Sequence, residues 1–279
     1  MSLDRLNSAL TEEVAILAGE KRAKLPERVF SKFIPATGAL GPRYQIRGSE
    51  QPYLRMNSTS YLSLSNHPKL IEAADRATHE FGVGPGAVRF IDGTFGPHAD
   101  LEKRIAGFVG REAARIFNSA YTTVLGTALT ITNKQTFWIG DELNHNCIIR
   151  AMRIASVPRN MRSIYKHNDM ADLRSKLEAV PEGVERVVVV FDGVFSMRGN
   201  YAPVNEIIAI CKEFDSKFKD GVITMMDDSH GVGAYGATGR GTPEVCGLTA
   251  ETGPDIMIGT FGKAFGVNGG FVAASKEVI

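Results

Sequence analysis

The chain has 279 residues, of which 43% are hydrophobic, and its 32 basic and 31 acidic residues leave a net charge of +1. This length and hydrophobic content allow one large domain with a substantial core. The balanced charge gives no indication of a nucleic-acid or membrane surface, and no apolar stretch approaches the roughly 20 residues that a membrane helix needs. The polar N-terminus is unlike a secretory signal, and the cysteines Cys147, Cys211 and Cys246 are far apart. This cysteine pattern favours a reducing cytoplasm, with each thiol a small buried hydrophobe.

The first hundred or so residues predict three helices separated by irregular chain. Residues 1–24 read as a charged helix with one apolar face, formed by Leu6, Leu10, Val14 and Leu17. Residues 25–52 are rich in proline and glycine and are predicted to be irregular. A helix-start signal at His67-Pro68 precedes apolar residues at helical spacing, and a glycine-rich loop at residues 82–86 ends that helix. Another helix is expected from about His98.

From residue 113 onward, predicted strands and helices alternate along the chain. The strands are apolar runs at residues 113–117, 135–139, 186–191, 222–226, 256–258 and 271–274. The helices show apolar spacing at residues 121–132, 146–154, 171–180 and 203–218. Such alternation predicts an α/β fold, a three-layer α/β/α arrangement around a mostly parallel sheet. Ligands of such sheets bind at the carboxyl ends of the strands, so the polar residues there are the candidates for function.

Two of these strand ends carry residues suited to a pyridine cofactor. The strand at 222–226 is followed by Asp227, Asp228 and His230, and the strand at 256–258 by the glycine-flanked Lys263. A carboxylate keeps a pyridine ring nitrogen protonated, so that the ring can absorb electrons, and a desolvated lysine is nucleophilic. Because side chains alternate across a strand end, Asp227 and Asp228 are expected to face opposite ways. Taken singly, each motif is also compatible with an ordinary polar loop or a solvated lysine.

Two earlier strand ends complete the pattern. A helix opens at Ser119, Ala120 and Tyr121, where free backbone N–H groups could bind a phosphate, although simple helix capping explains the same residues. After the strand at 135–139, His145 could stack on a flat ring. Glu142 and His145 could also form half of a metal site, but no second ligand pair has matching spacing, so no metal is predicted.

A glycine motif in the same region suggests a different cofactor and is rejected. Residues 231–236 read GVGAYG, which matches the GxGxxG pattern of dinucleotide sites, with Asp255 downstream. That pattern requires the glycines to open a helix directly after a strand, with the acid ending a second strand. Here the residues DDSH separate the strand from the glycines, and the following ATGRGTPE is too rich in glycine and proline to form the required helix. Asp255 precedes its strand instead of ending it. Nicotinamide binding is therefore not expected.

Several longer motifs occur together in chain order: SYLSLSNHP, GAVRFIDGT, DELNHNCI, YKHND, GVFSM, DDSHGVGAYGATGRGT and GTFGKAFGVNGG. In these motifs, over roughly residues 50 to 276, the chain resembles the α-oxoamine synthases, pyridoxal-5′-phosphate (PLP) enzymes of the aspartate-aminotransferase fold, or fold type I. The resemblance implies condensation of an amino acid with an acyl-CoA in a homodimer. VRFIDGT and GVFSM lean towards glycine C-acetyltransferase, and 8-amino-7-oxononanoate synthase is the other near relative.

The resemblance also implies roles for particular residues. Lys263 is expected to form the Schiff base with PLP, Asp227 to pair with the pyridine nitrogen, His230 to bind the phenolic oxygen, and His145 to stack on the ring. Ser119, Ala120, Tyr121 and Thr260 are expected at the phosphate, and Ser196 near the ring. The implied mechanism frees Lys263 to remove the α-proton of the amino acid, and the carbanion then attacks the acyl thioester and releases CoA.

Some positions depart from the family pattern. The phosphate loop reads Ser119-Ala120-Tyr121 rather than SGF or SGY, an asparagine near the substrate is replaced by Ser60, and Asn146-Cys147 follows the DELNH motif in place of Ala-Ser. These differences put the substrate in question more than the cofactor. Aminotransfer, or a non-catalytic subunit that uses the fold as a partner surface, is the alternative function.

The expected domain organisation is an N-terminal helix and arm over residues 1–52 and a PLP-binding large domain over residues 53–279. Relatives continue into a small C-terminal domain, which supplies an arginine for the substrate carboxylate. No arginine follows Lys263 here. We therefore expect the C-terminal small domain to be absent from this chain, with at best weak cofactor binding and little turnover by residues 1–279 alone.

Overall fold

The computed structural model describes residues 2–24 and 26–279, so Met1 and Leu25 of the predicted N-terminal segments lie outside the described residues. The chain divides into two compact units, residues 1–58 and 59–279. The domain division expected from the sequence falls earlier, after residue 52, and it stays a prediction. No helix of the described residues has the length and apolar character that crossing a membrane requires.

The first unit begins with the predicted helix, α1, at Ser2–Gly19. Its apolar stripe of Leu6, Leu10, Val14 and Leu17 is exposed to solvent, at between 36% and 58% of each residue's surface. The helix therefore presents an apolar face that its own unit leaves uncovered.

The prediction of an irregular segment at residues 25–52 is wrong, because this segment contributes to a three-stranded antiparallel sheet in the order β1-β2-β3. The strands are Phe30–Ile34, Arg43–Ile46 and Pro52–Tyr53. Aromatic side chains stabilise the pairing: the Phe30 and Phe33 rings lie 5.3 and 5.5 Å from the Tyr44 ring, and the Arg55 guanidinium lies 5.4 Å from the Phe30 centroid. Proline and glycine are confined mainly to the turns between these short strands, which hid the strands from a composition-based prediction.

The second unit contains the alternating elements. Its helices are α2 (Pro68–Phe81), α3 (Gly96–Phe108), α4 (Ala120–Ile131), α5 (Asn146–Ile154), α6 (Met170–Glu178), α7 (Val204–Asp215) and the short α8 (Thr242–Val245). Its strands are β4 (Ala113–Phe117), β5 (Thr136–Asp141), β6 (Arg162–Tyr165), β7 (Arg186–Asp192), β8 (Val222–Asp227), β9 (Ile256–Thr260) and β10 (Gly270–Ala274). The sequence predicted all of these except β6 and α8, which are too short to show a clear period.

The seven strands form one sheet in the order β4-β10-β9-β8-β7-β5-β6. Strands β9, β8, β7, β5 and β6 are parallel to one another, and β10 runs antiparallel to both β9 and β4. The prediction of a mostly parallel sheet is confirmed. The carboxyl ends of β5, β7, β8 and β9 therefore meet at one edge, where the motif residues follow.

Helices cover both faces of this sheet, as the two hydrophobic clusters show. In β7, Val187, Val189 and Phe191 point into a cluster with α6 and α7, whereas Val188 and Val190 point into a second cluster with α4 and α5. Because strand side chains alternate, this continuous apolar run buries both of its faces. The predicted three-layer α/β/α fold is confirmed.

Candidate active site

A pocket of about 360 Å³, including the part open to solvent, lies at the carboxyl ends of the central strands. It is lined by Ala120, Tyr121, His145, Cys147, Asp192, Val194, Asp227, Ser229, His230 and Lys263. Six of these were predicted site residues: Ala120, Tyr121, His145, Asp227, His230 and Lys263. The structure thus brings together residues from four strand-end motifs that are separated by up to about half the chain.

The end of β8 separates its two acidic residues, as the sequence predicts. Asp227 lines the pocket, and its Oδ1 accepts a hydrogen bond from the Ser229 N–H at 3.0 Å. Asp228 is fully buried away from the pocket lining and accepts hydrogen bonds from both the backbone N–H and the hydroxyl of Thr242. Asp227 is therefore the acid available to a ligand, and Asp228 anchors the loop that carries α8.

One glycine of the rejected dinucleotide motif, Gly231, packs against Asp228 together with two glycines outside the motif. A Cβ atom at Gly193, Gly231 or Gly241 would collide with the Asp228 carboxylate, and Gly241 also has a positive φ of 95°. Residues 231–236 form turns rather than the start of a helix. Close packing therefore explains the motif glycines, with Gly231 against Asp228, Gly233 against Ala264 and Gly236 against Glu244.

Burial of Asp228 gives a testable pH dependence of stability. Burial raises the pKa of this carboxyl to about 7, against the opposing hydrogen bonds from Thr242. An unfolded aspartate holds its proton only below about pH 4, so between pH 4 and 7 the folded state binds this proton more tightly. The stabilisation that protonation gives is therefore complete below pH 4 and is lost as the pH rises to about 7.

We expect Asp228→Asn, which keeps the shape but does not titrate, to remove this dependence. Relative to the unmodified protein, the variant should gain free energy of unfolding as the pH rises from 4 to 7, by up to about 4 kcal/mol. Urea unfolding of both proteins across this pH range measures the difference. A difference that stays constant with pH would show that Asp228 ionises normally.

The DELNH segment after β5 is held against the neighbouring strand by a network of polar contacts. The Asn144 side chain donates to the Val190 carbonyl at 2.8 Å and accepts from the Asp192 N–H at 3.2 Å. The His145 N–H donates to Asp192 Oδ2 at 3.0 Å. His145 also caps α5, its Nδ1 accepting from the Cys147 N–H. These contacts fix the His145 ring at the pocket wall.

Asp192 is a site residue that sequence reasoning missed. It ends β7, and the strand register pairs it directly with Asp227 at the end of β8. Among the described residues, its buried Oδ1 has no hydrogen-bond partner. Burial, with the neighbouring Asp227 charge, raises the pKa of Asp192 well above its usual value. The signal was present in the sequence, because an acid ends each of two adjacent buried strands.

Lys263 completes the charged centre of the pocket. It follows β9 in a turn that the Gly266 N–H closes on the Lys263 carbonyl at 3.0 Å. Burial lowers the pKa of Lys263, while the negative charges of Asp227 and Asp192 act to raise it. Desolvation of the amino group makes a neutral, nucleophilic form more accessible than in an exposed lysine.

His230 lines the pocket from the last position of the DDSH segment, three residues after Asp227. Burial, with the nearby Lys263 charge, lowers its pKa to about 4, so the ring is neutral at pH 7. Its Nδ1 lies 2.6 Å from the Tyr61 hydroxyl, from a segment 169 residues away in the sequence. Tyr61 was not singled out as a site residue, because no local pattern connects it with His230.

Cys147 is buried, as predicted, but it is more than a small hydrophobe, since it lines the pocket. Its sulfur lies 2.9 Å from His145 Nδ1 and 3.9 Å from Asp227 Oδ2. Burial and the negative charges of Asp227 and Asp192 raise the pKa of this thiol. Cys147 therefore stays a neutral thiol packed between the histidine and the acid.

The start of α4 has the geometry expected of an anion site. Ser119 is the N-cap, its hydroxyl accepting from the Thr122 N–H at 3.1 Å, while its carbonyl accepts from the Thr123 N–H. The first N–H groups of a helix have no partner within the helix, so those of Ala120 and Tyr121 remain available beside the pocket they line.

Three predicted residues lie outside the pocket lining. Ser119 acts as the cap just described. Thr260 is buried, and its hydroxyl donates to the Gly269 carbonyl at 3.2 Å and accepts from the Gly262 N–H. Ser196 is exposed in a neighbouring pocket, which shares Val194 and His230 with the first. Their predicted contacts with a cofactor stay predictions.

The residues present fit a phosphorylated pyridine aldehyde. The buried carboxylates of Asp192 and Asp227 line the pocket with the desolvated Lys263, and one oxygen of Asp192 has no hydrogen-bond partner among the described residues. A histidine ring forms one wall, and a helix N-terminus lies at the edge. Together these supply an acid for a ring nitrogen, an amine for an aldehyde, and N–H donors for a phosphate.

The fold and this pocket define the large domain of the PLP-dependent transferases of fold type I. The comparisons with known proteins agree. Residues 51–279 match the family described as aminotransferase class I and II, and the chain belongs to that family. The predicted resemblance to the α-oxoamine synthases is confirmed by the relatives it matches.

Two curated relatives and two solved structures illustrate the similarity. The chain is 40% identical over 239 residues to 8-amino-7-oxononanoate synthase 1 of Bacillus velezensis, covering 86% of this chain and 58% of the relative. It is 39% identical over 274 residues to 8-amino-7-oxononanoate synthase of Geobacter metallireducens, covering 98% and 65%. A serine palmitoyltransferase of Sphingomonas wittichii matches with a TM-score of 0.81 and 28% identity, covering 98% of this chain and 64% of that one.

A serine palmitoyltransferase of S. paucimobilis, with a bound PLP–myriocin aldimine, has the same TM-score of 0.81 at 27% identity, covering 96% of this chain and 62% of that one. This chain thus spans between 55% and 65% of the length of the curated relatives it matches.

Proposed function

We propose that this protein binds PLP and condenses an amino acid with an acyl-CoA to give an α-oxoamine. The observation that carries the proposal is the convergence of Lys263, Asp227, His145 and His230 in one pocket at the carboxyl edge of a fold type I sheet. The curated relatives named 8-amino-7-oxononanoate synthase support an acyl transfer of this kind.

Each of the pocket residues has a proposed role in holding the cofactor. Lys263 would bind its aldehyde covalently, Asp227 its ring nitrogen, and His230 its phenolic oxygen, while the His145 ring stacks on the pyridine. The N–H groups of Ala120 and Tyr121 would bind the phosphate, with Ser119 and Thr260 supporting that end and Ser196 near the ring. When bound, PLP supplies an electron sink that stabilises a carbanion at the α-carbon of an amino acid.

The residues of the chain supply the proton transfer. With the amino acid held by the cofactor in place of Lys263, the Lys263 amino group would be free to accept the α-hydrogen as a proton at Nζ. Burial lowers the pKa of Lys263, so the neutral amine that a general base requires is more accessible than in an exposed lysine. The resulting carbanion would attack the acyl thioester carbonyl and the carbon–sulfur bond would break. The sulfur would take up the proton held on Lys263 Nζ, and CoA would leave as the thiol.

A three-way assay separates this proposal from its rivals. The protein is loaded with PLP and given an amino acid, with or without an acyl-CoA, beginning with glycine and alanine. Thiol release that requires both substrates is the expected result. An amino acid that is converted to its keto acid without acyl-CoA would indicate aminotransfer instead. PLP binding without release of the α-hydrogen into solvent would indicate a non-catalytic subunit.

We further propose that the protein acts as a homodimer in the cytoplasm. Large apolar side chains remain exposed in each unit, among them Leu6, Leu10 and Val14 on α1 and Val83, Phe90 and Met197 in the second unit. Exposed apolar surface of this kind marks a protein interface, and the three free cysteines suit a reducing compartment.

Sedimentation of the protein at micromolar concentration should therefore show a dimer. Leu10→Glu places a charge on the α1 stripe and should weaken the dimer by about tenfold or more, since burying an unpaired charge is costly. Ser8→Glu adds the same charge on the opposite side of the helix and should leave the dimer intact. A protein that sediments only as monomer would contradict the proposal.

A further inference from the structure

The hydrogen bond between Tyr61 and His230 bears on which ring nitrogen of His230 carries the hydrogen, as well as on the position of the ring. A neutral histidine carries one hydrogen, on either Nδ1 or Nε2, and the partner of one nitrogen decides the state of the other. Because burial lowers the pKa of His230 to about 4, the ring is neutral throughout the neutral pH range and carries its hydrogen on one nitrogen or the other.

The direction of this hydrogen bond follows from the acidity of the two groups. The Tyr61 hydroxyl lies 2.6 Å from His230 Nδ1. A phenol is a stronger acid than a neutral imidazole N–H, and an imidazole nitrogen is a stronger base than a phenol oxygen, so the stronger pairing has the hydroxyl donating. Burial and the nearby Tyr235 raise the pKa of Tyr61, which keeps its proton in place.

Tyr61 is held at this distance by the same loop that carries Lys263. The Ser63 N–H donates to the Ser60 carbonyl at 2.7 Å, closing a turn around Tyr61. The chain directly after this turn packs against Gly266, where a Cβ atom would lie 2.5 Å from the Ser65 nitrogen. The lysine loop and the Tyr61 turn therefore fit together, and the tyrosine is not a freely moving surface side chain despite its 48% exposure.

We propose that Tyr61 is a positioning residue that fixes His230 as the Nε2–H tautomer, so that the ring nitrogen left for the pocket is always a hydrogen-bond donor. A donor at this position suits a phenolate oxygen, whereas an unprotonated nitrogen would repel it. That consequence for the cofactor rests on the proposed function. The tautomer itself does not, because it is a property of the protein without a ligand.

Nitrogen-15 NMR of the cofactor-free protein reads the tautomer directly. The six histidines give separate side-chain correlations, and the loss of one set in His230→Gln assigns His230. At pH 7 we expect His230 to carry its hydrogen on Nε2, with the Nδ1 resonance shifted by an accepted hydrogen bond. A hydrogen found on Nδ1 in the unmodified protein would overturn the proposal without any variant.

Tyr61→Phe and Tyr235→Phe form a matched pair, since both tyrosines line the pocket next to His230 and, in the described part of the chain, Tyr61 is the one that hydrogen bonds it. Tyr61→Phe should move the His230 Nδ1 resonance towards that of a free imidazole nitrogen and allow both tautomers. Tyr235→Phe should leave it in place. His230 resonances that are unchanged in Tyr61→Phe, or equally changed in both variants, would contradict the proposal.

A second readout connects the tautomer with the cofactor. In PLP titrations followed by fluorescence, Tyr61→Phe should raise the dissociation constant by about fivefold, as expected for one oriented hydrogen bond, and Tyr235→Phe should not. If none of the proteins binds PLP but the NMR result holds, the proposed function fails while the assignment of Tyr61 stands. If all the proteins bind PLP equally and the NMR signature is absent, the assignment of Tyr61 fails while the proposed function stands.

Discussion

In the Lys263→Ala variant we expect no covalent binding of PLP and a fall in turnover of at least about a thousandfold. The variant loses the amine that would hold the aldehyde and also the base that would take the α-hydrogen, and a positioned general base alone contributes about 10²- to 10⁴-fold. Thiol release from acyl-CoA in the presence of an amino acid, together with the visible absorbance of the loaded protein, measures both losses.

Lys276→Ala is the matched control for this experiment. Lys276 follows β10, is largely exposed, and pairs with Glu112 at 3.2 Å. The Lys276→Ala variant removes the same charge from the same end of the chain, and Lys276 does not line the pocket. Turnover that survives in Lys263→Ala, or that falls equally in both variants, would show that Lys263 has no special role.

The second large effect is expected at Asp227. Asp227→Asn removes the carboxylate proposed to keep the ring nitrogen protonated, and we expect turnover to fall by about a hundredfold or more, because the electron sink then weakens. The variant should also lower the pKa of Lys263. The negative charge of Asp227 raises that pKa, so its removal should lower it further, and covalent PLP binding should extend to lower pH.

Asp228→Asn provides the comparison, because it makes the same change one residue further on. Asp228 bonds Thr242 rather than facing the pocket, so its replacement should alter the pH dependence of stability. Its charge acts on Lys263 more weakly than that of Asp227, so the variant should shift the pH dependence of PLP binding less than Asp227→Asn does. If Asp228→Asn abolished turnover while Asp227→Asn were mild, the assignment of the two acids would be reversed.

The sequence predicted the sheet and its ligand edge because the central strands carry their own signal. Runs such as that of β7 are apolar on both faces and alternate with helices, which indicates a covered parallel sheet, and the polar residues that follow such strands meet at one edge. Lys263, Asp227, His230 and His145 were found in this way. Asp192 could have been found by the same reasoning, from the register that places it beside Asp227.

Other features could not be read from local patterns. The contact between Tyr61 and His230 joins segments that are 169 residues apart, and the sheet of β1, β2 and β3 depends on the packing of Phe30, Phe33 and Tyr44 rather than on an uninterrupted strand pattern. The place of Cys147 in the pocket follows from the turn of α5 that brings its sulfur to Asp227. Each is a consequence of tertiary packing.

The central claim, that Lys263 holds PLP in this pocket, is tested most directly by chemical reduction. The PLP-loaded protein is treated with borohydride, digested, and its peptides are analysed by mass spectrometry to locate the pyridoxyl group. We predict that the group is fixed on Lys263, in the peptide containing GTFGKAFG. A label on any other lysine, or bound PLP that borohydride does not fix to the chain, would contradict the claim.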